Sequence, residues 1–357
     1  MQTTACAHID LNALRNNLNV VRQLCPNSRI MAMLKADAYG HGLLPTAKAL
    51  SSADGFAVAR LHEAVTLRKA GLEQRILLLA TLLDGADLEL CSKLKIDVTA
   101  HDPTSVTLIA RQAERTPIRV WLELDSGMHR VGLSPDEFAV ADRVLSANRG
   151  IYELTHMTHF SSADNEDCTI TDRQFRRFYS CRGPTPTCKA SLANSAALIS
   201  TPDTHGDWVR PGIMLYGINP FETLRPLPLK AAMTLKARLI AIREIPAGDY
   251  VGYNQRWYSS RASKIGTIGV GYGDGYPRHA PNGTPVLLNG VHVPLIGQVS
   301  MDTLAVDLTD CKTVSVGDEA ILWGPDLSAA QIAGQANTIA YELFTSVQQR
   351  VVREYIG

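Results

Sequence analysis

One lysine stands where the chemistry of this chain is expected to begin. Lys35 follows an apolar run and precedes a tyrosine and two glycines in the segment LKADAYGHG, residues 34–42. Burying an ammonium group is costly unless its charge is paired or removed. An imine with an aldehyde cofactor removes the charge and creates an electrophile. The glycines suit a backbone that passes close to a ligand. The ordinary alternative is a solvated or salt-bridged lysine.

Alternating strands and helices must position this lysine. Eight short apolar runs separated by helical patterns predict parallel strands: Ile30–Ala36, Gly55–Ala59, Arg75–Ala80, Ile96–His101, Ile118–Asp125, Leu154–Phe160, Cys188–Ala193 and Trp208–Met214. This alternation predicts an α/β fold, a (β/α)8 TIM-like barrel, in which chemistry lies at the carboxyl ends of the strands. A doubly wound open sheet is the alternative, but no GxGxxG follows a strand.

Local signals mark several helix ends. Asp10 is expected to cap a helix that places Leu11, Leu14, Leu18 and Val21 on one face. A second helix is expected over Leu61–Ala70, before Gly71. The tetrapeptide SPDE at residues 134–137 predicts a capping box with proline at the first helical position.

The pattern of expected strands and helices changes after the tripeptide Pro226-Leu227-Pro228. Six β-like runs follow, with few helices between them: Met233–Arg243, Ile265–Val270, Val286–Leu288, Val291–Ile296, Leu304–Leu308 and Glu319–Trp323. Asn289-Gly290 predicts a type I′ hairpin, and Ser328–Ala336 predicts a helix. We therefore expect a barrel over residues 1–228 and a mainly β domain over residues 229–357.

Composition limits the class of protein. The 357 residues carry a formal net charge of +0, which gives no electrostatic case for nucleic acid or an anionic membrane. Seven irregularly spaced cysteines form no CxxC pair, so we expect them to be small buried apolar side chains in a reducing compartment, with no metal site. Residues 1–11 lack the basic and apolar regions of a secretory signal, and we expect a cytoplasmic protein.

Several motifs together resemble the alanine racemase family, fold type III of the pyridoxal-phosphate enzymes. They are LKADAYGHG at 34–42, DSGMHRVG at 125–132, WVRPGI at 208–213, VGY at 251–253, GYGDG at 271–275 and SMD at 300–302. They occur in the family's order and span nearly the whole chain. The resemblance implies interconversion of L- and D-alanine, a precursor of peptidoglycan, with pyridoxal 5′-phosphate bound to Lys35.

The resemblance also implies how the cofactor is held. Arg210 would face the pyridine nitrogen, where a permanent cation disfavours ring protonation and makes the ring a weaker electron sink. His159 would pack on the ring. The residues implied to contact the phosphate are Tyr39, Ser195, Gly212, Ile213 and Tyr341.

Racemisation needs a base on each face of Cα. The resemblance implies Lys35 for one face and Tyr253, from the partner subunit of a homodimer, for the other. Met301 and Asp302 of that partner would face the substrate. Tyr272 and Arg278 would line the entrance to the site.

Three positions depart from the common pattern. Arg130 matches a substrate-side arginine that many members position with a carbamylated lysine, but the corresponding residue here is Glu123. Its carboxylate is expected to hold Arg130 directly, without carbamylation. Ser191 replaces a histidine that supports the pyridine-facing arginine in some members. Asp37 replaces an asparagine, and the sequence offers no account of that change.

Other functions fit parts of the pattern. A serine or broad-specificity racemase could use the same scaffold with a few altered side chains. A fold type III decarboxylase is a second alternative, against which the VGY and SMD motifs argue. A non-catalytic pyridoxal-phosphate-binding protein would resemble the barrel half alone, and the β domain with Tyr253 argues against it.

Overall fold

The computed structural model describes residues 4–183, 187–221 and 225–357 of the chain. Strand β1 (Ala5–Asp10) and helix α1 (Leu11–Leu24) come first. Eight parallel strands then close into the barrel that the sequence predicts: β2 (Arg29–Met33), β3 (Gly55–Val58), β4 (Arg75–Leu78), β5 (Ile96–Ala100), β6 (Ile118–Glu123), β7 (Ile151–Met157), β8 (Lys189–Ser191) and β9 (Trp208–Val209).

Helices follow most of these strands, as expected for a (β/α)8 barrel. They are α2 (Lys35–Tyr39), α3 (Leu43–Ala49), α4 (Leu61–Lys69), α5 (Gly85–Lys93), α6 (Pro103–Ala113), α7 (Pro135–Ser146), α8 (Thr169–Arg182) and α9 (Ser195–Ser200).

The predicted helix caps form. The Asp10 carboxylate accepts the N–H of Ala13 at 3.0 Å at the start of α1. At the start of α7, the Ser134 N–H donates to Glu137 Oε2 at 2.9 Å, and the Glu137 N–H donates to the Ser134 hydroxyl at 3.4 Å. These bonds satisfy donors that the first turn of a helix leaves unpaired.

The last predicted barrel strand was too long. The sequence predicts Trp208–Met214, but pairing ends at Val209 and a 3-10 turn covers Ile213–Tyr216. Pro211 between them has no N–H to give to a ladder. The buried apolar side chains of the turn, which made it resemble a strand, pack in the core instead.

The second domain is built on one large sheet. Its later strands are β10 (Met233–Ile245), β11 (Tyr250–Val251), β12 (Trp257–Tyr258), β13 (Ser263–Ile268), β14 (Pro285–Leu288), β15 (Val291–Ile296), β16 (Leu304–Asp307), β17 (Glu319–Trp323) and β18 (Val352–Ile356). The sheet order is β13-β16-β15-β14-β17-β10-β1-β18, and β11 pairs with β12 separately. The predicted hairpin joins β14 to β15, with positive φ angles of 49° at Asn289 and 77° at Gly290.

The sheet takes its β1 strand from the other end of the chain. The prediction counted residues 5–10 in the barrel, whereas β1 pairs antiparallel with β10 and parallel with β18. Buried and half-buried residues alternate along β1, so one of its faces is covered. This periodicity in the sequence does not tell which domain covers the strand. Two helices complete the domain, the expected α10 (Ala329–Gln335) and an unpredicted α11 (Ala340–Ser346).

The described residues contain no helix with the length and apolar character needed to cross a bilayer. All seven cysteines are free thiols, but only Cys25 and Cys91 are buried, so the expectation that all of them are buried is wrong for the other five.

Candidate active site

Lys35 lies just beyond the carboxyl end of β2, at the first position of α2. The four residues after it have positive φ angles between 52° and 55°. The chain then turns at Gly40, where an added Cβ would lie 2.0 Å from the Phe344 carbonyl oxygen of α11. The glycines of the lysine motif therefore admit close packing against the second domain, where the sequence interpretation placed a ligand.

The surroundings of Lys35 favour a neutral amine. Burial lowers the pKa of Lys35 below its ordinary value of 10.5, and the cations Arg130 and Arg210 lower it further. The Glu63 carboxylate acts in the opposite direction and is the weakest of these influences. A neutral amine is the form that attacks an aldehyde and the form that accepts a proton.

Arg210 is buried beside the ends of β7 and β8. Its Nη1 donates to the Ser191 hydroxyl at 2.6 Å, and its Nη2 donates to the Thr158 carbonyl at 2.6 Å. Nη2 also lies 3.3 Å from the Leu192 carbonyl. No acceptor for the Nε–H occurs among the residues that the structure describes. Burial lowers the pKa of Arg210 to about 10, against the effect of Glu123, so the group is a cation at neutral pH.

His159 contacts the same guanidinium. Its Nδ1 lies 3.3 Å from Nη2 of Arg210. Burial lowers the pKa of His159 to about 3, and the cations Arg210, Arg130 and Lys35 act in the same direction. The ring is therefore neutral, and because an arginine only donates, Nδ1 accepts and the proton lies on Nε2.

A cradle of donors forms where α9 and the Ile213–Tyr216 turn begin. The Ser195 hydroxyl accepts the N–H of Gly212 at 2.8 Å, and its own proton has no acceptor among the described residues. As the first residue of its turn, Ile213 has no acceptor for its N–H within that turn. A Cβ at Gly212 would lie 2.7 Å from the Tyr39 hydroxyl, so glycine lets that hydroxyl approach the backbone here.

Tyr39 is held in place by aromatic neighbours. Its ring stacks on Tyr216 with centroids 4.9 Å apart and lies 5.6 Å from the ring of Tyr341. Burial raises the pKa of Tyr39 and, to about 12, that of Tyr341, so both hydroxyls remain proton donors. Hydroxyl and amide donors gathered in this way fit a phosphate group.

The loop that carries Arg130 is shaped by Asp125. One oxygen of its carboxylate accepts the N–H groups of Gly127, Met128 and His129 at 2.9–3.0 Å. A Cβ at Gly132, where φ is 109°, would lie 2.7 Å from the Asp125 nitrogen. Arg130 itself is exposed in the single chain.

Glu123 does not make the direct contact that the sequence predicts. It is buried, and no ion pair joins it to Arg130 in the described part of the chain. Burial raises the pKa of Glu123, while Arg210, His101 and Arg130 lower it, in that order. The carboxylate lies at the end of β6 inside the barrel, whereas Arg130 leaves on the exposed loop, so the two separate.

The predicted residues of the second domain lie together on its surface. Tyr253 is 65% exposed and Met301 is 54% exposed. Gly252, next to Tyr253, lies against Gly297 and Gln298, which lead into the loop of Met301. Among the described residues, no hydrogen bond or ion pair links Tyr253 to the Lys35 site.

One arginine holds two carboxylates beside the predicted entrance residues Tyr272 and Arg278. Arg350 pairs with Asp302 at 2.8 Å and with Asp274 at 2.7 Å. The Arg278 guanidinium lies 6.0 Å from the ring centroid of Tyr272. Arg350 did not emerge from the sequence, because nothing local links it to Asp302.

Two further residues matter that the sequence left unassigned. Glu63, at the third position of α4, accepts the N–H groups of Ala59 and Arg60 at 3.0 Å each, and its other carboxylate oxygen accepts the N–H of Asp37, two residues after Lys35, at 3.4 Å. No capping-box signature marks it in the sequence, because the Arg60 side chain before the helix cannot accept a hydrogen bond. Asp37 accepts the Leu43 N–H at 2.7 Å at the start of α3, a bond that an asparagine would also make, so nothing in the structure explains the change from asparagine.

The fold and the side chains of this site define the class of protein. It is a barrel enzyme whose lysine amine, buried arginine and cluster of hydrogen-bond donors are suited to bind a phosphorylated aldehyde. The model described as "Alanine racemase, N-terminal domain" matches residues 9–220, and "Alanine racemase, C-terminal domain" matches residues 232–355. The chain therefore belongs to the alanine racemase family.

Individual proteins agree with this assignment. An alanine racemase of Aliivibrio salmonicida is 45% identical over 99% of both chains. The biosynthetic alanine racemase of Pseudomonas aeruginosa superposes with a TM-score of 0.96 at 41% identity and covers 100% of both chains. The enzyme of Bartonella henselae, solved with covalently bound pyridoxal phosphate, superposes at 0.92 with 31% identity, covering 99% of this chain and 100% of that one.

Proposed function

We propose that this chain is a pyridoxal-phosphate-dependent isomerase that interconverts L- and D-alanine. One observation carries the proposal: Lys35, whose pKa is lowered, and the buried cation Arg210 both lie at the carboxyl ends of the barrel strands. The membership of the chain in the alanine racemase family supports the same activity.

The residues present fit the cofactor. The Lys35 amine would bind its aldehyde, and the hydroxyls of Tyr39 and Ser195 with the N–H group of Ile213 would hold its phosphate. The Gly212 N–H, which donates to the Ser195 hydroxyl at 2.8 Å, would hold that hydroxyl in place. Tyr341 would close this end of the site. When bound, pyridoxal phosphate supplies an electron-withdrawing ring that acidifies the Cα proton of an amino acid.

Arg210 would set the strength of that ring. Its Nε–H is free to face the ring nitrogen, and a cation in that place disfavours protonation there. Charge would then remain near Cα, which favours return of the proton to the same carbon. The neutral ring of His159, which contacts Arg210, would pack beside the cofactor without adding charge.

Two side chains would handle the proton. The Lys35 amine, free once substrate is bound, would remove or return it on one face of Cα, and the Tyr253 hydroxyl would serve the other. Arg130 would bind the substrate carboxylate, since a guanidinium matches it with two parallel hydrogen bonds. Glu123 would influence Arg130 only through electrostatic attraction from inside the barrel, without a direct contact.

The exposure of Tyr253, Met301 and Asp302 supports a site shared between two subunits. In this proposal a homodimer places them over Lys35 of the partner chain.

Mixing two inactive variants, Lys35→Ala and Tyr253→Phe, tests this shared site. Hybrid dimers would each regain one complete site, so an equal mixture is expected to recover about one quarter of wild-type activity. No recovery would place both bases in one chain.

Substrate choice has its own test. Initial rates of racemisation would be compared for alanine, serine, lysine and arginine under identical conditions. The highest kcat/KM is expected for alanine, because Met301 and the tyrosines would crowd the space above the cofactor. A higher value for serine would favour the serine racemase alternative. The supply of D-alanine for peptidoglycan and a cytoplasmic location remain predictions from the sequence.

Cofactor attachment is tested by reduction with borohydride, which would fix the cofactor on the protein as a stable amine. Peptide mass spectrometry should place it on Lys35. A cofactor that remains removable, or one bound to another lysine, would contradict the proposal.

A further inference from the structure

The outward face of strand β1 carries two side chains with chemistry that the racemase site does not use. Ala5, Ala7 and Ile9 point into the core, whereas Cys6 and His8 alternate with them on the other face and are half-buried. They lie outside the barrel, on the sheet of the second domain.

A third group joins them from the far end of the chain. In the parallel pairing of β1 with β18, His8 lies opposite Glu354. Directly paired residues of neighbouring strands point to the same face of a sheet. The pairing therefore gathers a thiol, an imidazole and a carboxylate from two strands that are more than three hundred residues apart in the sequence.

The three side chains converge closely. The Cys6 Sγ, an imidazole nitrogen of His8 and a carboxylate oxygen of Glu354 all lie within 4.8 Å of one another. His8 Nε2 is 2.7 Å from Glu354 Oε2. Ligands of one tetrahedral ion stand about 3.3–3.8 Å apart when each bond is 2.0–2.3 Å. Small side-chain movements would reach that geometry.

We infer that Cys6, His8 and Glu354 form a binding site for one transition-metal dication of the zinc class. Thiolate, imidazole and carboxylate are the donors that Zn²⁺ takes in proteins, and three of them leave a fourth position for water. Binding releases the thiol proton to solvent, and the ion balances the two negative charges of Cys6 and Glu354.

The one cation directly opposite Cys6 in the described part of the chain is offset by a carboxylate. Lys236, opposite Cys6 on β10, is the nearest cation of its neighbouring strand, and its ammonium lies 3.0 Å from the Glu319 carboxylate.

A second cluster with similar residue types is not suited to bind a metal ion. Asp142, His156 and Cys188 also lie within reach of one another. However, His156 Nε2 lies 2.8 Å from Asp142 Oδ1, and His156 Nδ1 accepts from Arg182 Nε at 3.3 Å. Both ring nitrogens are occupied and a guanidinium stands beside them, which disfavours a cation. This cluster provides a matched control.

An ion at Cys6, His8 and Glu354 would join the first strand of the chain to the last. β18 is the edge strand of the sheet, and its opposite face holds the lysine loop, because Arg353 Nε donates to the Gly40 carbonyl at 2.8 Å. We therefore expect the ion to stabilise the fold at the termini, with little change in racemisation.

The test uses untagged holoenzyme freed of metal with a chelator. Equilibrium dialysis against Zn²⁺ should give one tightly bound ion per chain, and Co²⁺ should produce a thiolate charge-transfer band in the difference spectrum. Saturating Zn²⁺ should raise the thermal midpoint by about 2–4 °C. Wild-type protein without stoichiometric binding would overturn the inference.

Variants assign the site. Cys6→Ser is expected to weaken Zn²⁺ binding at least about tenfold and to abolish the cobalt band, and Glu354→Gln should also weaken binding. Cys188→Ser should bind like wild type. Equal binding by Cys6→Ser, or loss of binding in Cys188→Ser alone, would overturn the inference. If Cys6→Ser folds poorly, Glu354→Gln decides the matter, because its exposed side chain is not needed for packing.

Discussion

The Ser191 hydroxyl lies 2.6 Å from Nη1 of Arg210 and gives its own proton to the Trp208 carbonyl at 3.0 Å. A serine hydroxyl has one proton, so this arrangement leaves Ser191 only as an acceptor toward the guanidinium. The residue that departs from the family pattern thus still orients the arginine. Unlike a histidine, it adds no second titratable group beside the cofactor ring.

Replacing Ser191 with alanine should therefore disturb Arg210. The variant leaves a buried charged donor without its partner, at a cost of about 1–3 kcal/mol in the free energy of unfolding. Urea unfolding measures the cost, and the absorbance of bound cofactor reports the altered ring environment. Ser51→Ala, at an exposed position, serves as the control. An unchanged cofactor spectrum in Ser191→Ala would contradict the orienting role.

Removing the Tyr253 hydroxyl should slow turnover strongly without destabilising the protein. Tyr253→Phe is expected to lower racemisation in both directions by about 10²–10⁴-fold, the usual contribution of a general acid–base. Exchange of the α-proton with solvent should persist for the one enantiomer that Lys35 serves. Tyr250→Phe, another exposed tyrosine nearby, should retain activity. Full turnover by Tyr253→Phe would disprove the two-base proposal.

The loop that carries Arg130 should depend on Gly132. An alanine there would place its Cβ 2.7 Å from the Asp125 nitrogen, at a φ of 109°. Gly71→Ala is the matched control, because φ is 80° but nothing lies within 4 Å. The control should cost about 1 kcal/mol in stability from backbone strain alone. Gly132→Ala should cost more and raise the KM for alanine, and equal behaviour of the two variants would refute this account.

The chain should lose stability in mild acid through His41. Burial lowers the pKa of His41 to about 4, whereas an unfolded histidine has a pKa of about 6.5. The unfolded state therefore binds more protons as the pH falls below 6.5, and the stabilising contribution is lost as the pH falls toward 4. Between pH 7 and pH 5 this amounts to about 2 kcal/mol.

Urea unfolding at pH 7 and pH 5 measures the loss. His41→Gln should show a smaller difference between the two pH values than wild type, by about that amount. His62→Gln, which alters an exposed histidine, should behave like wild type. A full-sized difference in His41→Gln would place the acid sensitivity elsewhere.

The capture of cofactor by Lys35 should also depend on pH. Only the neutral amine reacts with an aldehyde, and the pKa of Lys35 is lowered below 10.5. The rate of recombination of apoenzyme with pyridoxal phosphate should rise with pH and level off below pH 10.5. A midpoint at or above the ordinary lysine value would show that the amine is not perturbed.

The sequence by itself determined the local elements and the reactive residue types. Periodicity predicted the barrel strands, and the caps at Asp10 and Ser134 and the hairpin at Asn289-Gly290 followed from hydrogen bonds between residues close in sequence. Such signals are local, so the chain carries them before it folds. The same holds for Lys35 at the end of an apolar run, although its cofactor came from a motif resemblance.

Only the tertiary structure decided which distant groups meet. It placed β1 in the second domain's sheet, joined Ser191 to Arg210, and drew Glu63 toward Lys35. It also separated Glu123 from Arg130, which the sequence had paired. Register between strands and burial of charge depend on contacts across the whole chain, and no window of the sequence contains them. The pKa of Lys35, on which its chemistry depends, is set by such contacts.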